Sequence, residues 1–195
     1  MKAIPVEYAD ATPGVKAIYD DVMSTMQRTD LPNWIKYLGN NEKILNGNWQ
    51  KFRCTIVDGE IPMLLKQIIM FIVSRHYGSE YCIAAHAHAA LEIDKTLKYE
   101  DLVDLSQGQG YEKLPAAYKV AIEVGVKCAL HPQDVTSDDL DLLREEDYSE
   151  EEILELISQA DVGIMFNIIT MNAGIPMDAE YRRHLPEDFM PGADE

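Results

Sequence analysis

The sequence is poor in basic residues. Of its 195 residues, 17 are lysine or arginine and 34 are aspartate or glutamate, so the formal net charge at pH 7 is −17. Binding to nucleic acid requires clustered lysine and arginine side chains that neutralise phosphates, and attraction to an anionic membrane surface requires the same charges. We therefore expect neither nucleic acid nor a membrane among the partners of this chain.

Cysteine is scarce as well. The three cysteines, Cys54, Cys82 and Cys128, are widely spaced and odd in number, which argues against the disulfide framework of a small secreted protein. The first residues form no apolar leader-like segment, and no uninterrupted apolar run approaches the roughly 18 residues of a membrane helix. We expect a cytoplasmic protein in which Cys54 and Cys128 are ordinary core residues.

The alternation of apolar and polar residues that is typical of β-strands is almost missing. Apolar residues instead recur at helical spacing, and hydrophobic residues make up 47% of the chain, which is enough for one sizeable core. These patterns predict an all-α fold of about seven to nine helices. We expect an N-terminal arm over residues 1 to 12, a single domain over 13 to 176, and a polar C-terminal tail over 177 to 195, either mobile or laid on a partner.

Two long apolar runs meet at Gly78. The first extends from Pro62 to Tyr77 and the second from Glu80 to about Ile93. Glycine ends helices readily because it adopts the left-handed backbone conformation, and a serine hydroxyl can accept a hydrogen bond from an unpaired amide of a helix start. The sequence therefore predicts a central pair of helices that is joined at Gly78 and capped by Ser79.

Cys82 falls in the first turn of the second helix, and His86 follows four residues later on the same face. A thiol near a helix N-terminus and a base is placed where a thiolate is stabilised. The alternative is that Cys82 is a small buried hydrophobe and His86 a structural histidine. His88 is expected to point to nearly the opposite face and to be structural or interfacial, and we expect no metal because the rings of His86 and His88 would diverge.

This stretch resembles the alkyl hydroperoxidase D-like and carboxymuconolactone decarboxylase-like family, most closely its uncharacterised peroxidase-related branch. The likeness extends over about residues 10 to 176. It is carried by four short segments, namely Lys66-Gln67-Ile68-Ile69, Val73-Ser74-Arg75, Gly78-Ser79-Glu80-Tyr81-Cys82 and Ala84-Ala85-His86, with weaker support from Val135 to Asp139, Tyr148 to Leu156 and Phe166-Asn167.

The resemblance implies an all-α homo-oligomer without a cofactor and assigns roles to four positions. In family peroxidases a glutamate precedes a Cys-x-x-Cys-x-x-x-His motif. The second cysteine attacks the peroxide, the first resolves the sulfenic acid to a disulfide, and the glutamate and histidine relay protons. The attacking cysteine corresponds to Cys82 and the histidine to His86, whereas Ser79 stands at the resolving position and Gln67 at the position of the glutamate.

These two replacements narrow the expected chemistry. Ser79 cannot form a disulfide with Cys82, and Gln67 cannot exchange a proton at neutral pH. We therefore expect a one-cysteine, thiol-dependent peroxidase, with Cys82 and His86 as catalytic residues, Gln67 and Ser79 at pocket or relay positions, and an external thiol reductant. Two alternatives stay open: a lyase acting on a small carboxylic acid, for which Arg75 is the nearest cation, and a non-catalytic oligomeric binding protein.

Overall fold

The structure is a computed structural model, and it describes residues 3 to 187 and residue 189. Within these residues the chain forms nine α-helices and no β-strand, which confirms the predicted all-α fold. The helices are α1 (Pro13–Thr25), α2 (Asn33–Leu38), α3 (Glu42–Phe52), α4 (Met63–Tyr77), α5 (Glu80–Ile93), α6 (Tyr99–Ser106), α7 (Ala116–Leu130), α8 (Ser137–Glu145) and α9 (Glu150–Ala173). A π-helical turn, Arg53–Val57, continues α3, and short 3-10 helices include Tyr8–Asp10 and Ala179–His184.

Side-chain caps mark several of the helix starts. The hydroxyl of Thr12 accepts a hydrogen bond from the amide of Val15 ahead of α1, and the side chain of Asn41 caps α3. Ser149 and Glu152 form a reciprocal capping box at the start of α9. Such caps satisfy amides that have no partner inside the helix. The sequence therefore determines where these helices begin.

The turn between α4 and α5 depends on Gly78. Its φ of 67° lies in the left-handed region, and the amide of Ser79 donates to the carbonyl of Ser74 over 3.1 Å. This is the hydrogen-bond pattern of a glycine-terminated helix. Ser79 occupies the N-cap position of α5, but its hydroxyl makes no capping hydrogen bond. The predicted capping role of Ser79 is therefore wrong, because the hydroxyl turns inward toward α9.

Helix α4 lies at the centre of the molecule, and every residue from Leu65 to Ser74 is buried. One apolar cluster joins α4 to α6, α7 and the first half of α9, and a second joins it to α1, α2, α3 and the second half of α9. Helix α5 contributes to both clusters. This arrangement brings the first turn of α5 next to the C-terminal half of α9.

A buried ion pair fixes the start of α4. The ammonium group of Lys66 is fully buried and donates to the carbonyls of Thr55 (2.9 Å) and Ile56 (3.1 Å), and its Nζ lies 2.5 Å from Glu155 Oε1 of α9. Glu155 also accepts the amide of Ile61. The pair thus connects the π-helical turn, α4 and α9.

The segment after α9 lies on its own chain in the described residues. The 3-10 helix Ala179–His184 packs on α5, and Tyr181 is buried. The carboxylate of Asp178 accepts the amide of Asn33 at the start of α2 and the hydroxyl of Tyr81. A segment that was expected to be mobile or laid on a partner thus forms part of the molecular surface around α5.

The N-terminal arm also packs on the domain where it is described. Ala3 and Ala11 are buried, and the amide of Val6 donates to the carbonyl of Lys36 over 3.0 Å. The division of the chain at residues 12 and 176 stays a prediction. Residues 1, 2, 188 and 190 to 195, which belong to the two predicted arms, lie outside the described residues.

Among the helices that the structure describes, α9 has the length and apolar composition of a membrane span, and half of the relevant window is buried inside the bundle. We interpret it as a core helix. Four large apolar side chains on its outer face are exposed, namely Leu154, Ile157, Ile168 and Met171.

Candidate active site

A cavity of about 180 Å³ is lined by residues of α5, α9 and the N-terminal helices. Cys82, His86 and Gln67 all line it, so the structure brings together three of the four predicted site residues. Most of the other lining side chains are apolar or aromatic: Met26, Trp34, Phe52, Met70, Tyr81, Ala85, Ala89, Phe166 and Tyr181, with Arg28, His88 and Thr170 as the polar exceptions.

Cys82 is the third residue of α5 and is 3% exposed. Its Sγ lies 3.3 Å from the hydroxyl oxygen of Thr170. Burial raises the pKa of the Cys82 thiol, and hydrogen bonds from the hydroxyls of Ser79 and Thr170 offset only part of this increase. The expectation of a resting thiolate at the helix start is therefore wrong, because the loss of hydration outweighs the stabilisation that the surroundings provide.

His86 is neutral at pH 7, since burial lowers its pKa to about 4. Its Nδ1 lies 2.8 Å from Oε1 of Gln67, whose amide nitrogen donates to the sulfur of Met63. A carbonyl oxygen only accepts, so Nδ1 carries the proton and Nε2 keeps its lone pair. Gln67 thus orients His86 as a weak neutral base, as the glutamate of the family pattern would orient it, but without adding a negative charge.

A pair of hydroxyls lies behind Cys82. Ser79 and Thr170 are buried, with their oxygens 3.0 Å apart, and Thr170 donates to the carbonyl of Phe166 over 2.8 Å. Thr170 has one hydroxyl proton, which it can donate either to the carbonyl of Phe166 or to the sulfur of Cys82, and only the second arrangement favours a thiolate. Ser79 is not among the residues that line the cavity, so its place is behind the sulfur and not in the pocket wall.

His88 also lines this cavity, so the expectation that it points away from the site is wrong. Six residues along the helix do turn the side chain of His88 away from that of Cys82, but the cavity wall includes both sides of α5. It extends from the face of α5 that carries Cys82 and His86 to the flank that carries Tyr81 and His88, where Tyr181 completes it.

The cation in this cavity is Arg28, which the sequence analysis did not identify. It lies in the loop after α1, with Nη1 2.7 Å from Glu180 and Nη2 3.3 Å from Asp30. Arg75, the expected cation, lies in a separate groove beside Ile72 and over the ring of Phe71. Since Arg28 already interacts with two carboxylates, little of its charge is left for an acidic substrate.

Aromatic rings form one wall of the cavity. Phe166 contacts Trp34 edge to face with the ring centroids 4.6 Å apart, and Phe52 in the same way at 5.6 Å. Tyr181 from the C-terminal segment packs edge to face on Tyr81. Trp34 lies on α2 and Phe52 at the end of α3, both far from Cys82 in the sequence. Their role in the cavity depends on the approach of α9, which no local pattern reveals.

The other two cysteines differ from the prediction. Cys54 lies in the π-helical turn and is exposed, so its assignment to the core is wrong. Cys128 is half-buried against the apolar cluster around α7. Cys82 belongs to the other cluster.

A separate group of potential metal ligands lies at the edge of the cavity. It consists of His88, Glu92 and His184.

No protein-family model matches the chain, and no curated protein matches it by sequence. Solved structures do match. A peroxidase-related protein with an alkylhydroperoxidase AhpD core from Ralstonia eutropha JMP134 superposes with a TM-score of 0.78 at 16% identity, covering 92% of this chain and 93% of that one. A peroxidase-related protein from Silicibacter sp. TM1040 gives 0.76 at 21% identity, covering 94% and 95%.

A third structure is that of the debrominase Bmp8, in a variant with a cysteine replaced by alanine and in complex with 2,3,4-tribromopyrrole. Its TM-score is 0.74 at 21% identity, with 93% of this chain and 94% of that one covered. Identities of this size establish the fold and not the activity. The chain thus has the all-α fold of the alkylhydroperoxidase AhpD core and of the peroxidase-related proteins that share it.

Proposed function

We propose that this protein is a thiol-dependent oxidoreductase that reduces small organic hydroperoxides at Cys82. The observation that carries the proposal is the convergence of the Cys82 thiol and a neutral His86, held by Gln67, on one apolar cavity. Hydrogen peroxide would need no such cavity. Aromatic walls favour a hydroperoxide with an apolar or aromatic substituent.

The proposed step begins with transfer of the thiol proton to Nε2 of His86 when the substrate is bound. The sulfur attacks the terminal oxygen of the hydroperoxide, an S–O bond forms and the O–O bond breaks. The leaving alkoxide takes the proton from His86 and departs as an alcohol. Sulfur is oxidised to a sulfenic acid while the peroxide is reduced, so one thiol and one hydroperoxide give one sulfenic acid and one alcohol.

An external thiol would complete the cycle. Ser79 cannot resolve the sulfenic acid, Cys54 is exposed, and Cys128 packs in the other apolar cluster. A first external thiol would form a mixed disulfide with Cys82 and release water, and a second would regenerate the Cys82 thiol as an external disulfide. We propose the cytoplasm as the location, because small thiols are kept reduced there.

The test is oxidation of the purified protein by cumene hydroperoxide, followed by mass-spectrometric mapping of the three cysteines with and without added dithiothreitol. We expect sulfenic acid at Cys82 before Cys54, although Cys54 is the exposed thiol. Cys82→Ser should abolish hydroperoxide consumption, and Cys54→Ser, the matched control, should retain it. Preferential oxidation of Cys54, or consumption that survives in Cys82→Ser, would overturn the proposal and favour a non-catalytic binding protein.

A second candidate is reductive removal of a halogen from a small aromatic ring. It is favoured by the aromatic wall and by the likeness to a debrominase that binds a brominated pyrrole. In this step the Cys82 sulfur takes bromine from carbon, the carbon takes a proton, and an external thiol displaces bromide to form a mixed disulfide. A second thiol then regenerates Cys82, so two thiols and one carbon–bromine bond give a carbon–hydrogen bond, a disulfide and hydrogen bromide.

Bromide release separates the two candidates. Incubation with a brominated pyrrole and dithiothreitol should release bromide only if the second candidate holds, whereas cumene hydroperoxide should be consumed only if the first does. The lyase alternative has weaker support, because the charge of Arg28 is already balanced by Glu180 and Asp30. It would require turnover of a small carboxylic acid that persists in Cys82→Ser.

We also propose that the chain forms a homo-oligomer through α9. Support comes from the exposed apolar side chains Leu154, Ile157, Ile168 and Met171, which repeat along the outer face of the helix. Such a stripe is unusual on a monomer. Light scattering should show a smaller assembly for Ile168→Glu, while Leu142→Glu, at an exposed position on α8, should leave the assembly intact.

A further inference from the structure

Three metal-binding side chains meet where the C-terminal segment crosses α5. His88 and Glu92 are four residues apart and therefore lie on the same side of the helix, and His184 comes from the 3-10 helix that packs on it. One potential ligand atom of each residue lies within 4.8 Å of the other two. The chemistry proposed for Cys82 uses none of these residues.

Two members of the cluster contact each other, and one atom of the third lacks a partner among the described residues. Nε2 of His184 lies 2.6 Å from Oε1 of Glu92, and the rings of His88 and His184 have centroids 5.3 Å apart. Nδ1 of His88 is buried and has no hydrogen-bond partner in the described part of the chain. A buried polar atom without a partner is costly and uncommon in a native protein. A bound metal ion would give the cluster a common partner.

We propose that His88, Glu92 and His184 bind a divalent transition-metal ion, with Zn²⁺ as the probe. Two imidazoles and one carboxylate are a ligand set that Zn²⁺ takes in proteins, with a further position left open. With bonds of about 2.0–2.1 Å in tetrahedral geometry, neighbouring ligand atoms lie about 3.4 Å apart. Nε2 of His184 and Oε1 of Glu92, which are 2.6 Å apart, must therefore separate by about 0.8 Å, and ligand atoms up to 4.8 Å apart must approach, which rotation of the exposed Glu92 and of His184 allows.

The surrounding charges are compatible with a cation at this place. Lys95 contacts the second carboxylate oxygen of Glu92 at 2.7 Å and leaves Oε1 to the cluster. Glu180 also contributes negative charge near His88, against the positive charge of Arg183.

The site would attach the C-terminal segment to α5. Tyr181 precedes His184 by three residues, lines the cavity and packs on Tyr81 with centroids 5.7 Å apart. A metal ion bound by two residues of α5 and by His184 would therefore hold one wall of the cavity in place. Its role would be structural, and the thiol chemistry at Cys82 does not depend on it.

The test is titration of untagged, chelator-treated full-length protein with Zn²⁺ by calorimetry and with Co²⁺ by visible absorption. We expect one ion per chain and a loss of affinity of about tenfold or more in each of His88→Ala, Glu92→Gln and His184→Ala. The control His131→Ala, which removes an exposed histidine at the end of α7, should bind as the wild type does. Equal affinity in all four variants, or no binding by the wild type, would overturn the proposal.

Trypsin provides a second readout that does not depend on affinity. Arg182 and Arg183 are exposed cleavage sites within the C-terminal segment. Zn²⁺ should slow cleavage there in the wild type and in His131→Ala, but not in Glu92→Gln. If circular dichroism shows that His88→Ala is unfolded, the two variants at the surface of the cluster, Glu92→Gln and His184→Ala, decide the question. Protection that persists in both contradicts the site.

Discussion

Lys66 and Gln67 are neighbours on α4, and both are buried, yet they serve two different polar clusters. The ammonium group of Lys66 has three oxygen partners from Thr55, Ile56 and Glu155, which matches its three protons. Gln67 contacts Nδ1 of His86, and the side chains of His86 and Cys82 line the same cavity. The ammonium group of Lys66 is saturated, whereas the second cluster has groups left for a substrate.

Helix α9 contributes to both clusters, and its two halves show the same contrast. Glu155 and Gln159 in the first half bind the side chain and the carbonyl of Lys66. Phe166 and Thr170 in the second half line the cavity beside Cys82. A buried charged group with every partner in place, such as the Lys66 ammonium, stabilises the fold, whereas a cluster with spare hydrogen-bonding capacity and a cavity beside it can carry chemistry. This distinction can be tested by mutation.

The largest effect is expected from Lys66→Met, which leaves the carboxylate of Glu155 buried without its cation. Removing one partner of a buried pair costs about 3–5 kcal/mol of unfolding free energy. The sulfur and methylenes of methionine fill the space of the lysine stem, so the loss is electrostatic and not a packing defect. Urea denaturation followed by circular dichroism measures it.

The matched control is Lys51→Met, which breaks the pair with Asp161 at the surface, where the carboxylate is 71% exposed. Exposed pairs contribute about 0–1 kcal/mol, so this variant should unfold close to the wild type. If Lys66→Met were as stable as Lys51→Met, the buried interactions of Lys66 would not stabilise the fold.

Acid should lower the unfolding free energy of the protein through His86, which lines the cavity. Its pKa of about 4 in the folded protein lies below the ordinary 6.5, so the unfolded chain takes up the proton first as the pH falls. The stability that a neutral His86 contributes is complete above pH 6.5 and is lost as the pH falls to about 4, amounting to roughly 3 kcal/mol. Urea denaturation across this pH range measures it.

Carboxylates also titrate at the lower end of this range, so the informative quantity is a difference between proteins. His86→Gln keeps a neutral polar side chain and should lose stability less steeply between pH 6.5 and 4 than the wild type. Equal slopes in the wild type and His86→Gln would mean that His86 is not held neutral by burial.

Local sequence signals predicted the helices and the common helical face of Cys82 and His86, but not the chemical state of these residues. Gly78 ends α4 and Ser149 caps the start of α9, and in both cases the hydrogen bonds involved lie within one or two helical turns. The spacing of Cys82 and His86 on α5 is likewise local. The state of the thiol depends instead on burial by elements that are distant in the sequence, and this burial raises the pKa of Cys82 and opposes the expected thiolate.

The residues that sequence reasoning missed come from distant elements. Arg28 lies in the loop after α1, Thr170 near the end of α9, and Tyr181 in a segment that was expected to be a tail. None has a neighbour in the sequence that indicates a site. Thr170 gave the best available signal, since it is a hydroxyl residue on the buried face of an apolar helix, and such residues need a partner. The partner itself is visible only in the fold.

A smaller effect is expected from Gln67→Glu, which restores the carboxylate that the family resemblance places here. An ionised carboxylate 2.8 Å from Nδ1 of His86 stabilises the imidazolium, so the pKa of His86 should rise by roughly 1–2 units. NMR titration of the His86 ring protons measures this shift. Gln50→Glu adds the same charge at an exposed position of α3 and should leave His86 unchanged. An unaltered His86 pKa in Gln67→Glu would show that Gln67 does not orient the ring in solution.

The smallest effect concerns the hydroxyls behind the sulfur. Thr170→Val removes one hydrogen bond that favours the thiolate, at nearly constant volume, so the pKa of Cys82 should rise further above its ordinary value. A shift of about one unit would slow alkylation of Cys82 by iodoacetamide at pH 7 about tenfold, because only the thiolate reacts. Thr170→Ser keeps the hydroxyl and should react at the wild-type rate, while the exposed Cys54 is an internal standard in all three proteins. Equal alkylation rates of Cys82 in Thr170→Val and Thr170→Ser would mean that burial alone sets the pKa of the thiol. The hydroxyls beside the cavity would then have no more influence on the reactivity of Cys82 than the polar groups around Lys66.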